Sequence, residues 1–293
     1  MNTYIVLYNP LAGNGTAAAK LGDLEKLLPG DALYFYNMLD IKDYGSFFGD
    51  GPDGVELIIC GGDGTLNRFL NDTEDVRPDR GIYYYPSGSG NDFARDVGAS
   101  ADSAPVCIDR YIEHLPEITV NGEKRRFING IGYGIDGYCC EKGDELRGSG
   151  SGEVNYTAIA IKGLLFHYKP TGATVTVDGT EHRFEKVWLA PTMIGRYYGG
   201  GMMPTPAQDR LNPDGTVSVM LYHGSGKLKS LAVFPSIFKG EHIKHTEMVT
   251  VMSGRNITVR FDEPRPLQID GETISGVREY SAAACEEKVL QPA

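Results

Sequence analysis

The sequence predicts a parallel α/β half followed by an antiparallel β half, and three observations carry that reading. Three times within about the first 110 residues, a β-rich apolar run leads into a glycine-rich turn and then into a stretch of helical composition, the syntax of a parallel sheet. From about Glu117 onward, alternating β-branched segments are joined by turn dipeptides, which reads as a sandwich or barrel. A length of 293 residues suits two moderate domains. The expected division is residues 1–115 and 116–293, with the course of the chain after Val277 left open.

The elements follow in order. Tyr4–Tyr8 reads as a strand running into Asn9-Pro10-Leu11-Ala12-Gly13-Asn14-Gly15, with a helix over Thr16–Leu28 that Pro29-Gly30 stops. Leu33–Tyr36 is a further strand beside the first. Leu57–Cys60 runs into Gly61-Gly62-Asp63-Gly64-Thr65 with helical Leu66–Leu70 behind it, and Ile82–Tyr85 into Pro86-Ser87-Gly88-Ser89-Gly90 with a short helix over Asn91–Val97. In the second half, Val175-Thr176-Val177-Asp178-Gly179 is an Asp-Gly hairpin signal. Thr216–Tyr222, Glu247–Met252 and Asn256–Phe261 alternate as half-buried strands do, and Asn155–Tyr168, after the flexible Gly148–Gly152 stretch, is the second half's helix.

Composition narrows the function. Hydrophobic residues at 41% and charged residues at 23% describe a globular chain with a real core, excluding disorder, collagen and coiled coil. A net charge of −11 repels phosphate backbones, so nucleic acid is not the expected partner. Five cysteines without a C-x-x-C suggest neither a disulfide framework nor a zinc site, and fit a reducing cytosol. Met1-Asn2-Thr3 lacks the basic start of a signal peptide. The greasiest stretch, Tyr156–Tyr168, carries Lys162 and His167 and falls short of the ~20 apolar residues of a span, so membrane contact is expected to be peripheral. His242-x-x-His245 lacks an evident third ligand, Cys139-Cys140 reads as two buried thiols, and Trp188 reads as core.

Ligands of an open parallel sheet bind outside the carboxyl ends of its strands. The three glycine-rich loops lie at that edge, where glycine lets backbone amides approach an anion and helix N-termini add partial positive charge. A polyphosphate cradle follows. The chain has no G-x-x-x-x-G-K-[ST], so it is not a P-loop enzyme. An acid among glycines, as at Asp63, asks for a cation or hydroxyl partner near the phosphates.

Four blocks together carry a resemblance: Asn9-Pro10-x-Ala12-Gly13, Gly61-Gly62-Asp63-Gly64-Thr65-Leu66-Asn67, Gly88-Ser89-Gly90-Asn91-Asp92-Phe93-Ala94-Arg95, and Asp270-Gly271-Glu272. In order and spacing they resemble the diacylglycerol kinase catalytic-domain family, whose members include soluble bacterial lipid kinases and, more distantly, sphingosine and ceramide kinases. The resemblance implies a Rossmann-like nucleotide domain, a C-terminal antiparallel β-sandwich and an active site in the cleft between them. It implies ATP- and Mg²⁺-dependent phosphorylation of a lipid hydroxyl, typically diacylglycerol to phosphatidate, by a cytoplasmic protein that docks transiently on a membrane surface, with a homodimer left open.

Carried over by position, ATP phosphates would lie against Asn9, Pro10, Leu11, Ala12 and Gly13, against Gly61, Gly62, Asp63, Gly64, Thr65, Leu66 and Asn67, and at Ser89, where the family usually has threonine. Lys20 and Arg95 would be phosphate-facing cations, and Asn37 or Met38 would sit near the adenosine. Arg68 departs from a common glutamate, either as an added phosphate contact or as surface. Glu272 would accept the hydroxyl proton, Asp270 would be its partner, and Asp63 would organise the Mg²⁺ arriving with ATP. Neither Asp63 nor Glu272 is expected to be needed for packing. Met203-Pro204-x-x-Ala207 and Leu211-Asn212-Pro213-Asp214-Gly215-Thr216 resemble the stretch that holds a structural Mg²⁺, with the Asp214 carboxylate and the Leu211 and Thr216 carbonyls as ligands.

On the lipid side, Lys124-Arg125-Arg126, Lys227-x-Lys229 and Lys239–Lys244 read first as solvated surface and second as headgroup contacts. The Tyr156–Tyr168 helix reads as acyl pocket or core. Tyr197–Met202 would frame the mouth of the cleft. Competing readings are a non-catalytic ATP- or lipid-binding module, an NAD kinase-like enzyme, and a dinucleotide enzyme built on Gly13-x-Gly15-x-x-Ala18 with Asp40 as the ribose acid.

Overall fold

Strand β1 (Thr3–Tyr8) is central to its sheet because both its faces are apolar: Tyr4, Ile5, Val6 and Leu7 are all buried. The computed structural model describes residues 2–15, 17–49, 54–76, 80–148, 159, 162–163 and 167–285, which divide into two compact units, Met1–Glu113 and His114–Ala293. In the first unit β1 pairs in parallel with β2 (Ala32–Asn37) on one side and with β3 (Glu56–Gly61) on the other. β4 (Ile82–Pro86) continues the parallel set, and β5 (Val106–Cys107) closes it antiparallel, giving the order β2-β1-β3-β4-β5. The chain steps from β1 outward to β2 and returns to β3 on the opposite side. That reversal makes the carboxyl ends of β1 and β3 the topological switch point of the sheet.

Helices α1 (Ala17–Leu27), α2 (Tyr44–Gly49), α3 (Asp63–Asp72), α4 (Asp92–Val97) and α5 (Asp109–Ile112) connect these strands. α3 is amphipathic in the simplest way, with Leu66, Phe69 and Leu70 fully buried and Arg68 exposed. It begins at Asp63, three residues before the expected helical stretch, so the acid of the glycine loop stands in its first turn.

The second unit is an antiparallel sheet system ordered β13-β12-β11-β8-β14-β15-β6-β7, with β9 pairing both β10 and β14. Its strands are β6 (Glu117–Val120), β7 (Glu123–Arg126), β8 (Gly130–Tyr133), β9 (Thr171–Val177), β10 (Thr180–Val187), β11 (Thr192–Met193), β12 (Val217–Tyr222), β13 (Val249–Gly254), β14 (Asn256–Ile269) and β15 (Glu272–Ala283). β14 is the spine. Its first part pairs with β9 and its last residues with β8, while register shifts near Arg265 bend it between the two. The β9–β10 hairpin turns at Asp178 and Gly179, both with positive φ as the sequence signal requires. Tyr133 stacks on Phe261 at 4.2 Å in the core between strands. Trp188 is buried and donates Nε1–H to the Ser225 carbonyl, and buried His242 donates to the Pro204 carbonyl.

The helix expected over Asn155–Tyr168 falls mostly outside the described residues. A helix the sequence reading did not place, α6 (Ile135–Gly148), packs against β14, and α7 (Lys227–Val233) adds another. Gly137 hid α6, because glycine inside a helical stretch reads as a breaker. Here it is a packing requirement: a Cβ at Gly137 would stand 2.0 Å from the Pro266 carbonyl oxygen.

Asp136, in the first turn of α6, is buried beside β14 and accepts a 2.9 Å hydrogen bond from Gln268 Nε2. Gln268 Oε1 in turn accepts from the Gly271 N–H at 2.6 Å, so one buried amide ties the helix to the β14–β15 turn. Burial pushes the Asp136 carboxyl up to about 6, against the pull of the Gln268 hydrogen bond. A raised folded-state value means that folding favours the neutral acid. The stability Asp136 contributes is therefore complete below its unfolded value near 4 and is lost as pH rises through about 6, by about 3 kcal/mol in total. Asp136→Asn keeps an acceptor for Gln268 without the charge. Urea denaturation should show the variant gaining on the wild type between pH about 4.5 and pH about 7.5; an unchanged difference would refute the burial account.

Candidate active site

At the switch point, the Asn9 side chain organises the first loop. Its Oδ1 accepts the Leu11 N–H at 3.0 Å, its Nδ2 donates to Thr65 Oγ1 at 3.2 Å, and its backbone N–H reaches the Cys60 carbonyl at 3.4 Å. One side chain thus ties the loop after β1 to the first turn of α3. Ala12–Gly15 then form a single 3-10 turn, with Gly13 at φ +58°.

The second and third loops touch without side chains between them. A Cβ built on Gly88 would lie 2.4 Å from Gly62 Cα, so position 88 excludes any larger residue, and one built on Gly62 would stand a tight 3.0 Å from Gly88 Cα. The Gly61 carbonyl accepts the Ser87 N–H at 2.9 Å and the Tyr84 hydroxyl at 3.0 Å. Asp63 completes the joint, its Oδ2 accepting from Asp92 N at 3.0 Å and its Oδ1 from Phe93 N at 2.8 Å. A carboxylate in the first turn of one helix therefore caps the start of the next. Asn91, left-handed at φ +52°, accepts the Gly88 N–H with Oδ1 and donates Nδ2 to the Gly88 carbonyl, fixing the turn that leads there. This corrects the expectation that the Asp63 charge plays no part in packing.

Around this frame, Gly64 and Ser89 are exposed, Thr65 and Asn67 are buried, and Leu11 is exposed. Lys20 is half-buried and its charge reaches Cys60 at the end of β3. Burial pushes the Cys60 thiol up, while the Ser87 hydroxyl and the Lys20 charge pull it the other way. Arg95 pairs with buried Asp92 at 3.3 Å, and Arg68 pairs with Asp72 on the exposed side of α3 at 3.3 Å. Leu66, expected against the phosphates, instead has a fully buried side chain and an N–H spent on the Gly62 carbonyl at 3.1 Å. Asn37 caps the short turn Met38–Asp40, and Met38 is buried.

In the second unit Asp270 and Gly271 form the two-residue turn between β14 and β15, at φ +46° and +98°. The Asp-Gly pair is thus a hairpin turn, and it is also more. The Asp270 carboxylate accepts three backbone N–H groups, from Ile128 at 2.6 Å, Asn129 at 2.9 Å and Gly130 at 3.0 Å. Buried Arg210, which the sequence reading passed over, donates to the Ile128 carbonyl and to Asn129 Oδ1, bracing the same segment from the other side. Glu272 begins β15 with a half-exposed side chain, held by Arg125 Nη1 at 3.0 Å. Asp270 fixes backbone, and Glu272 presents a carboxylate.

The residues expected to hold a structural Mg²⁺ are arranged otherwise. The Thr216 carbonyl accepts Gln208 Nε2 at 2.8 Å and Asn212 Nδ2 at 2.9 Å, and the Asp214 carbonyl accepts Arg255 Nη1 at 2.6 Å. A carbonyl oxygen has two lone pairs. Those of Thr216 both face N–H donors, so this expected ligand is not turned toward a hard cation. Many of the basic side chains considered for lipid headgroups meet acids: Lys124 with Glu117, Arg125 with Glu123 and Glu272, Lys229 with Glu247, Lys244 with Glu241. Among the described residues no helix is long and apolar enough to cross a membrane.

Comparison with known proteins agrees with this geometry. Residues 3–119 match the family model of the diacylglycerol kinase catalytic domain, and residues 129–286 match that of the YegS C-terminal NAD kinase beta sandwich-like domain. A Mycobacterium tuberculosis (strain H37Rv) protein named diacylglycerol kinase is 28% identical over 306 residues, covering 98% of this chain and 94% of that protein. A diacylglycerol kinase of Bacillus subtilis (strain 168) is 27% identical over 224 residues, 74% of this chain and 70% of its own length. A solved structure described as a diacylglycerol kinase from Bacillus anthracis strain Sterne superposes with a TM-score of 0.58 at 18% identity, over 97% of this chain and 94% of that one. A second from that strain reaches 0.69 at 18% identity over 97% and 93%, and at such identity both speak to the fold. The matched domains follow one another through both units in the order the fold requires, and the chain belongs to the diacylglycerol kinase catalytic-domain family of lipid kinases.

Proposed function

We propose that this protein transfers the γ-phosphoryl group of ATP to a lipid hydroxyl, with diacylglycerol as acceptor and phosphatidate as product. The observation that carries the reading is the joint made by Gly62, Gly88 and Asp63, which sets glycine loops and the start of α3 at the switch point of a parallel sheet. In this reading the Asn9–Gly13 turn and the Gly61–Thr65 segment receive the phosphates through backbone N–H groups, and Lys20, Arg95 and the exposed Ser89 hydroxyl stand around them. Leu66 packs the helix beneath. The names of the curated relatives support the choice of acceptor.

The acceptor oxygen forms a bond to the γ-phosphorus as the bond to the β-phosphate oxygen breaks, and ADP leaves with that electron pair. The hydroxyl proton goes to the Glu272 carboxylate, which the Arg125 guanidinium orients. Asp270 acts on this step only by holding the turn that begins β15. Mg²⁺ bound with ATP would neutralise developing charge on the phosphate oxygens, and Asp63, whose oxygens already cap α4, is the loop's one carboxylate that would help to organise it. The acyl chains place the reaction at a membrane surface that the protein touches peripherally from the cytoplasm.

With radiolabelled γ-phosphate ATP and Mg²⁺, label should enter diacylglycerol in mixed micelles in preference to monoacylglycerol, sphingosine or ceramide; label in none of the four removes the kinase reading. Glu272→Gln should lower kcat by roughly 10³-fold or more while its urea midpoint stays at the wild-type value, since the exposed side chain supports no packing. Asp63→Asn should lose activity and stability together, by roughly 2 kcal/mol, because one of two charge-assisted hydrogen bonds to α4 goes. A fully stable Asp63→Asn protein would contradict the joint described above.

A further inference from the structure

We propose that in this chain the segment from Gln208 to Thr216 is held by side-chain amides and a guanidinium in place of a structural divalent cation. Mg²⁺ requires oxygen lone pairs turned toward one point at near-octahedral geometry. Here the Thr216 carbonyl is turned toward two N–H donors, and Asp214 is engaged through its backbone carbonyl, by Arg255. Gln208 is buried, and its amide is engaged at both ends: Oε1 accepts the Ser218 hydroxyl, which is itself 2.7 Å from the Ser253 hydroxyl, while Nε2 reaches the Thr216 carbonyl. Asn212 is fixed just as fully. Its Oδ1 accepts the Thr216 N–H at 2.8 Å, and its Nδ2 donates to the Asp209 carbonyl at 2.8 Å and the Thr216 carbonyl at 2.9 Å.

Positive charge is supplied as well. Arg255 donates Nη1 to the Asp214 carbonyl at 2.6 Å and Nη2 to the Cys285 carbonyl at 3.2 Å. It is held at the start of β14 by Asp178, whose carboxylate accepts the Arg255 and Asn256 backbone N–H groups at 3.0 and 2.8 Å. A cation approaching the Thr216 oxygen would meet two amide N–H dipoles pointing the wrong way and a guanidinium one residue from Gly215. Displacing them would cost buried Gln208 its 2.8 Å bond to the Thr216 carbonyl. The donor network and a hard-cation site therefore exclude each other.

The test uses the nucleotide-free full-length protein, so neither readout involves phosphoryl transfer or the Mg²⁺ that would accompany ATP. Melting in EDTA and in excess Mg²⁺ should give the same Tm within about 1 °C, and elemental analysis after dialysis should find well under one Mg²⁺ per chain. One retained equivalent, or a Tm lowered by EDTA and restored by Mg²⁺, overturns the proposal. Gln208→Leu removes the donor and should lower Tm by roughly 5 °C, equally in EDTA and Mg²⁺; a wild-type Tm would overturn the network's role. Asn212→Asp replaces the Nδ2 donor by oxygen and should acquire a Tm that Mg²⁺ raises, a response the wild type lacks. An Asn212→Asp protein as indifferent to Mg²⁺ as the wild type would show that the amide does not exclude the cation.

Discussion

The arrangement of the first unit depends on a carboxylate that spends itself on backbone. Asp63 stands where α3 leaves β3 and takes the first two N–H groups of α4, converting two separate strand–helix crossings into one rigid corner. Helix starts carry unpaired N–H groups and partial positive charge. A single acid in one first turn that caps the next is stabilised by both. Once that bond is made, the loops are pressed together so closely that only glycine is tolerated at 88 and little room is left at 62. The glycines are thus less a source of flexibility than a consequence of contact. Backbone N–H groups fixed in this way need no reorganisation when charge develops in front of them, which is the form of catalysis phosphoryl transfer can use.

The second unit uses the same device with a different outcome. Asp270 accepts three consecutive N–H groups at the entry to β8, and Arg210 braces the carbonyl side of that segment. The Asp270 oxygens are committed to those backbone N–H groups, which fixes the segment that leads into β8. The neighbour two residues on differs: the Glu272 side chain is half-exposed and paired with Arg125. Two carboxylates at one short turn are separated by environment into a fixed support and an exposed, arginine-held group.

Much of the first unit was legible because its signals are local. An apolar run, a glycine turn and a helical stretch follow each other within fifteen or so residues, and the Asp178-Gly179 hairpin is announced by its own two residues. What failed to show depends on partners distant in sequence. α6 contains Gly137 because Pro266 of β14, 129 positions later, passes close enough that no side chain fits. Leu66 looked like part of a loop motif, yet the helix starts at Asp63 and turns it inward. The role of Asp63 was misjudged for the same reason: a staple between two loops exists only once both loops are placed. Arg210 and Gln208 gave no signal, since an isolated arginine or glutamine in a turn-rich stretch is ordinarily surface.

β14 shows how site and core come to be one problem. Its last residues pair with β8, close the hydrophobic core through Leu267 and Ile269, and carry Gln268 between them. Alternation along a strand sends Gln268 to the face opposite its two neighbours. There it links buried Asp136 to the N–H of Gly271, the residue just before Glu272. An amide donates to a carboxylate and accepts from a backbone N–H at once, so aliphatic replacement would strand both partners. The geometry of the exposed carboxylate is therefore set from within the core, by a residue that never reaches the surface.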